Sequence, residues 1–320
     1  MTVLVTGGAG YIGSHVARLI SQRGERVVIV DDLSTGLPDR LVGQESALFD
    51  LASSDAVAQL RAVIRAHNVT SVVHLAARKK VAESVELPEW YYQQNVGGLA
   101  NLLDAMKAEN VTRFVFSSSA ATYGMPNIGQ VDEDYDCKPI NPYGETKLIG
   151  EWLARASAKS WGLRVVNLRY FNVAGAGWPD LADTAVANLI PIAFAAIRSG
   201  NSPEVFGDDY DTPDGSCIRD YVHVHDLADA HLAALDYLER EDRKFDTFNV
   251  GTGTGSSVFE VLAKIRTVSG VEFELDVQSR RAGDPPALAA DVGRIKAELG
   301  WQAMQGLTEI IESAWLATKA

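Results

Sequence analysis

The chain has 320 residues, 47% hydrophobic and 22% charged, enough apolar material for one large α/β unit or two lobes. With 42 acidic against 29 basic residues the net charge is -13, which argues against non-specific binding to nucleic acid or an anionic membrane, so any anionic ligand needs a local basic site. Only two cysteines occur, Cys137 and Cys217, with no ligand spacing to other Cys or His, which speaks against a disulfide framework or structural zinc and fits a reducing cytoplasm.

The start, MTVLVTGG, has no basic leader, and no stretch approaches the ~18 apolar residues of a membrane span, so neither targeting nor membrane insertion is expected. Strand-length apolar runs then alternate with amphipathic segments: VLVT, YIGSHVARLISQRG, RVVIV, DAVAQLRAVIRAH, SVVHLA, NVGGLANLLDAMKAE, RFVFS, the helix opened by NPYGETK, and RVVNLRY. This alternation predicts a doubly wound parallel sheet over residues 1–172, of the Rossmann type. Beyond Asn172 the pattern turns loop-rich, which predicts a smaller α/β substrate-binding lobe over residues 173–320, interleaved with the first because segments near 220–250 return to the main sheet.

GGAGYIG follows the first strand and opens a helix. Gly7, Gly10 and Gly13 permit a tight turn and close approach of a pyrophosphate to backbone, although an ordinary strand-to-helix turn can look the same. Asp31 and Asp32 end the second strand, where a carboxylate accepts from ribose hydroxyls and repels a 2'-phosphate, favouring NAD over NADP. Asp32 taken alone also reads as a solvated loop carboxylate.

RFVFS runs into SSSAATYG at the carboxyl edge of the sheet. Asn141 can cap the next helix and Pro142 can take its first position, so Tyr143 and Lys147 share a face. A phenol with an ordinary pKa of about 10 needs nearby positive charge to act as a base at neutral pH; Lys147 and an oxidised nicotinamide could supply it. The same spacing also suits a solvated helix surface, and Ser119 suits either a proton relay or a cap on local backbone.

Together the glycine turn, SSSAATYG and Tyr-x-x-x-Lys resemble the extended short-chain dehydrogenase/reductase superfamily. Within it, HLAARKKVAESVELPEWYYQQNVGG, LRYFNVAGA, VFGDDYDTPDGSCIRDYVHVHDLADAH and RRAGDPPALAAD are similar to UDP-glucose (UDP-galactose) 4-epimerases over essentially the whole chain. The resemblance implies NAD as cofactor, a UDP-sugar substrate and a homodimer formed through first-lobe helices. It implies that Tyr143 takes the 4-hydroxyl proton as hydride leaves C4, and that the 4-keto sugar turns over and is reduced on its other face. Lys147 then also binds the nicotinamide ribose, and Ser119 is the active-site serine.

Further positions follow only from the resemblance. Cofactor contacts fall on Tyr11, Ile12, Asp31, Asp32, Leu33, Ser34, Thr35, Gly36, Asp50, Leu51, Leu75, Ala76, Ala77, Lys79, Asn95 and Phe171. Substrate contacts fall on Asn172, Asn188, Leu189, Phe206, Arg219, Arg281 and Asp284, besides Ser119 and Tyr143, with Leu288 gating the sugar's 2-substituent. Guanidinium forks suit a diphosphate, though Arg219 could equally pair with Asp220 or Asp226, and Arg281 could be a surface charge.

The pair His223 and His225 with Asp226 hints at a metal, but the resemblance needs none there. Related dehydratases and decarboxylases carry an acid where this chain has Ala120 and Ala121, which favours epimerisation. A UDP-hexose 4-epimerase acting on N-acetylated or uronic acid sugars is the nearest alternative, and an NAD-sensing binding protein is the non-enzyme one.

Overall fold

Seven strands form the main sheet in the spatial order Phe245–Val250, Arg164–Tyr170, Arg113–Ser119, Ser71–His74, Thr2–Thr6, Arg26–Asp31, Glu45–Leu48. This is a computed structural model that describes residues 1–320 except 241, 243, 282 and 320. From Glu45–Leu48 through Arg113–Ser119 all neighbouring strands pair in parallel. Thr2–Thr6 and Ser71–His74 are buried throughout, as expected of strands whose two faces are both covered. The order reverses between Thr2–Thr6 and Ser71–His74, the switch point of a doubly wound Rossmann-type fold, where the carboxyl ends of strands form a ligand crevice. Gly7 and Leu75 follow those two ends directly.

The chain divides into two compact units: residues 1–124, 137–169 and 228–248 form the first, and residues 125–136, 170–227 and 249–320 the second. In the first, Leu4, Val28, Leu60, Val72, Leu102 and Phe114 belong to a core of fully buried side chains, each such side chain contributing about 1.5–3 kcal/mol by leaving water. In the second, Ile190, Phe194, Val261, Ile265, Ile310 and Ile311 form a separate core. Its sheet runs Gly255–Ser257, Ile218–His223, Ala287–Ala290, Gln130–Val131, with Asn172–Ala174 also paired to Ile218–His223. A two-stranded parallel sheet joins Glu204–Phe206 to Asp276–Gln278.

The helix Pro142–Trp161 begins where its sequence directs. Asn141 accepts a hydrogen bond from Gly144 N at 2.9 Å and Pro142 occupies the first turn, meeting an otherwise orphan donor at no cost in missing N–H groups. Gly162 ends it in the left-handed conformation. The helix is held to the sheet by an enclosed ion pair: Arg169 donates to both oxygens of Glu151 at 2.8 and 2.6 Å, with side chains only 7% and 5% exposed. Ser118 Oγ adds a 2.5 Å hydrogen bond to Glu151, and Arg169 also reaches Tyr123 Oη at 3.1 Å.

Removing one partner leaves the other charge buried and unpaired. Arg169→Met is therefore expected to lower unfolding stability by about 3–5 kcal/mol, read from urea denaturation beside the parent protein; a loss below about 1 kcal/mol would show that the pair holds nothing down.

Candidate functional site

The glycine turn is closed by steric necessity. Gly7 has φ +75°, and a Cβ placed there would lie 2.7 Å from Ala76 N; one at Gly13 would lie 2.1 Å from Gly7 O. Only glycine lets the helix Tyr11–Gln22 start this near the strand end. Gly10 is its N-cap and supplies no capping side chain, so the first-turn N–H groups remain suited to an anion such as a pyrophosphate. Tyr11 is buried and Ile12 half-buried in that first turn.

Asp31 is buried and accepts from Ala9 N at 2.9 Å and Leu33 N at 2.8 Å, tying the glycine turn to the strand end. Burial pushes its carboxyl up, against the lowering effect of those two N–H groups. Gly36 sits where a Cβ would meet Ala9 and Asp31. Asp32 is an exposed loop carboxylate, as its position alone suggested, but an engaged one: it accepts from Ser34 N at 2.9 Å and pairs with Arg78 at 2.6 Å. Thr35 is exposed.

Asp50 Oδ1 accepts from Ala52 N at 2.8 Å, and Leu51 is buried behind it. Leu75, Ala76 and Ala77 continue from the strand Ser71–His74, followed by exposed Lys79. Asn95 is buried with its amide engaged internally, accepting from Arg78 N at 2.7 Å and donating to Arg78 O and Thr146 Oγ1, both at 3.0 Å. These residues all lie in the first unit.

Tyr143, Lys147 and Ser119 lie there too. Lys147 is 4% exposed and its Nζ donates to Ser117 O at 2.7 Å, 5.9 Å from the centre of the Tyr143 ring. Burial pushes this ammonium down to about 8. Desolvation raises the Tyr143 phenol, and a hydrogen bond with Ser119 opposes that rise. In the protein alone the phenol therefore rises instead of falling, because burial outweighs its one lowering contact. Ser119 takes the capping role, its Oγ accepting from Ala121 N at 3.1 Å at the start of the short turn Ala120–Tyr123, and it is also hydrogen-bonded to Tyr143.

In the second unit, Arg219 pairs with Asp284 at 3.3 Å and donates to Ile218 O and Pro285 O, both at 2.8 Å. Neither carboxylate weighed from sequence is its partner: Asp220 accepts from Thr252, Gly253 and Ala290, and Asp226 from Met304 N and Gln305 N. The Arg281 guanidinium lies 3.6 Å from the Phe206 ring centre, a cation–π contact instead of a bare surface charge. Leu288 is the direct parallel register partner of Arg219. Asn172 pairs in register with Tyr221, after buried Phe171. Asn188 is the exposed N-cap of the helix Leu189–Arg198, and Leu189 opens it half-buried.

His223 uses both ring nitrogens: Nδ1 accepts from His225 N at 3.0 Å and Nε2 meets Ser313 Oγ at 3.0 Å. Sequence reasoning did not single out Arg78, Gln94, Glu151 or Arg169, all of which hold proposed site segments in place. A basic residue beside Lys79, and Glu151 four residues beyond Lys147 on one helix, were the signals available.

Residues 3–251 match a family model described as the NAD dependent epimerase/dehydratase family. The chain belongs to that family. It is 41% identical to a UDP-glucose 4-epimerase of Lactobacillus helveticus over 98% of this chain and 96% of that protein. This family member is also similar to the solved UDP-glucose 4-epimerase from Brucella ovis in complex with NAD, with a TM-score of 0.93, 42% identity, and coverage of 98% and 97% of the two chains. A UDP-Glc/GlcNAc 4-epimerase from Campylobacter jejuni matches with a TM-score of 0.87, 37% identity and coverage of 99% of each chain. Among the described residues no helix is long and apolar enough to cross a membrane.

The depressed Lys147 makes a signed prediction. Its folded pKa of about 8 lies below the ordinary lysine value of 10.5, so between those values the unfolded chain binds more protons and this group's stability penalty, full below pH 8, fades as pH rises. The unfolding free energy of Lys147→Met minus that of the parent is expected to fall steadily from pH 8 to 10; a flat difference would place the lysine at its ordinary value.

Proposed function

We propose that this protein interconverts UDP-galactose and UDP-glucose, holding NAD as a resident cofactor. The carrying observation is the Tyr143 phenol bonded to Ser119, with Lys147 anchored on the same helix, in a chain whose glycine turn is suited to a dinucleotide. Bound NAD supplies hydride acceptance from sugar C4 and its return. The protein's own part is proton handling and orientation. Tyr143 takes the 4-hydroxyl proton and later gives it back, while Ser119 shares the hydrogen bond and Lys147 holds the nicotinamide ribose.

The cofactor contacts assigned above to Gly7 through Asn95, with Phe171, and the substrate contacts Asn172, Asn188, Leu189, Phe206, Arg219, Arg281 and Asp284 belong to this reading. Arg219 and Arg281 are the diphosphate ligands, offering permanent charge and paired donors. The exposed apolar side chains of Val81, Val85, Leu87 and Trp152 support a homodimer through first-unit helices, and a chain with only two cysteines, eighty residues apart, fits a cytoplasmic setting.

Incubation with UDP-galactose, followed by separation of the nucleotide sugars, is expected to yield UDP-glucose. No interconversion with NAD supplied sinks the assignment, and a product lighter by water or carbon dioxide selects a dehydratase or decarboxylase. Tyr143→Phe is expected to keep NAD while turnover drops by roughly 10²–10⁴-fold, the usual contribution of a positioned acid–base group; retained turnover would require another base.

A second reading is supported by Leu288, whose side chain is smaller than a tyrosine and which pairs with Arg219. It has the protein also accept UDP-N-acetylgalactosamine. Leu288→Tyr is expected to lower the rate on the N-acetylated sugar by about tenfold or more through overpacking while sparing UDP-galactose; equal rates on the N-acetylated sugar before and after would remove Leu288 from this role.

A further inference from the structure

Residue 78 stands between two positions assigned to the cofactor, yet its side chain turns to other segments of the first unit. Arg78 donates through Nη2 to Asp32 Oδ2 at 2.6 Å, through Nη1 to Ser34 Oγ, and through Nε and Nη2 to Gln94 Oε1 at 3.1 and 2.7 Å. Its guanidinium also lies 5.0 Å from the Trp90 ring centre. Gln94, on the π-helical turn Tyr92–Gly97, donates onward to Asp50 Oδ2 at 3.0 Å. The resulting chain, Asp32 to Arg78 to Gln94 to Asp50, joins four stretches separated in sequence. Every one of them is proposed above to touch NAD.

We propose that Arg78, acting with Gln94, is a positioning residue that clasps the loop at residues 31–36 to the segments at Asp50 and Asn95 and so retards release of NAD. The inference rests on the NAD reading above. Its physical basis is twofold. A planar guanidinium with five donors in a fixed fork can serve Asp32, Ser34 and Gln94 together with less loss of freedom than a lysine ammonium with three donors on a flexible stem. The Arg78–Asp32 pair is also partly shielded, with side chains 15% and 26% exposed, so solvent screens it less than an open surface pair. Prior ordering of the contact segments lowers the entropy cost of holding a ligand and shows mainly in its off-rate. An enzyme that oxidises and then reduces the same sugar cannot let its cofactor go between the two steps.

The test compares the full-length parent with Arg78→Met, Arg78→Lys and Gln94→Ala. Release of bound NAD is followed by exchange against isotope-labelled NAD, and thermal midpoints are measured with and without added NAD. Arg78→Met is expected to release NAD about tenfold faster or more, the scale of lost hydrogen bonds to a charged group. Gln94→Ala shifts the same way, and Arg78→Lys, keeping charge but not the fork, falls between. The loss of NAD affinity should exceed the loss of turnover at saturating NAD.

Equal release rates in the parent and all three variants overturn the clasp, as does a midpoint drop of the same size with and without NAD at unchanged release, which marks a structural role alone. Should Arg78→Met fail to fold, Arg78→Lys and Gln94→Ala decide the question by the same criteria. A parent protein that binds no NAD fails the cofactor reading before any substitution is made, so the two failures are told apart.

Discussion

A lysine and a glutamate on one helix face, both almost wholly removed from water, set the terms for the first unit. Lys147 and Glu151 are 4% exposed each, and burying such charges costs several kcal/mol apiece unless hydrogen bonds answer them. The answers come from two neighbouring strands: Ser117 O and Ser118 Oγ on one, Arg169 on the other. Any rotation of the helix would break all of them together. The phenol of Tyr143, one turn before Lys147, is thereby fixed against Ser119 without needing a dedicated clamp of its own.

The same wall explains the electrostatics behind it. His74 stacks on Phe114 and Phe116, meets Thr6 Oγ1 at 2.7 Å, and is held down to about 3 by burial and by Lys147. A neutral imidazole beneath a buried ammonium avoids a second uncompensated cation. Of these two groups Lys147 alone carries the positive charge at neutral pH, where the proposed chemistry uses it.

Legibility differed by kind of interaction. Most of the strand and helix order in the first unit followed from apolar periodicity because the central strands are covered on both faces, whereas the mostly exposed edge strand Glu45–Leu48 carries no such run, and the helix at Pro142 followed from local capping rules acting over three residues. Tyr143 and Lys147 were visible because their spacing is a property of one helix. Arg78 and Gln94 were not, since an ion pair between residues 32 and 78 leaves no periodic trace. Arg219 shows the same limit: two nearby carboxylates were natural partners by sequence, whereas the strand pairing brought Asp284 instead. The phenol's raised pKa escaped for another reason, because desolvation depends on how much protein surrounds a group and spacing carries no measure of that.

The chain passes between the two units after residues 124, 136, 169, 227 and 248, and this has a consequence for biosynthesis. The edge strand Phe245–Val250 that covers Arg164–Tyr170 leaves the ribosome only after much of the second unit. Until then the nascent sheet presents an unpaired edge, the feature that recruits foreign strands. Neither unit is a contiguous stretch that could be made, or exchanged between proteins, by itself. The molecule is bound to be completed as a whole.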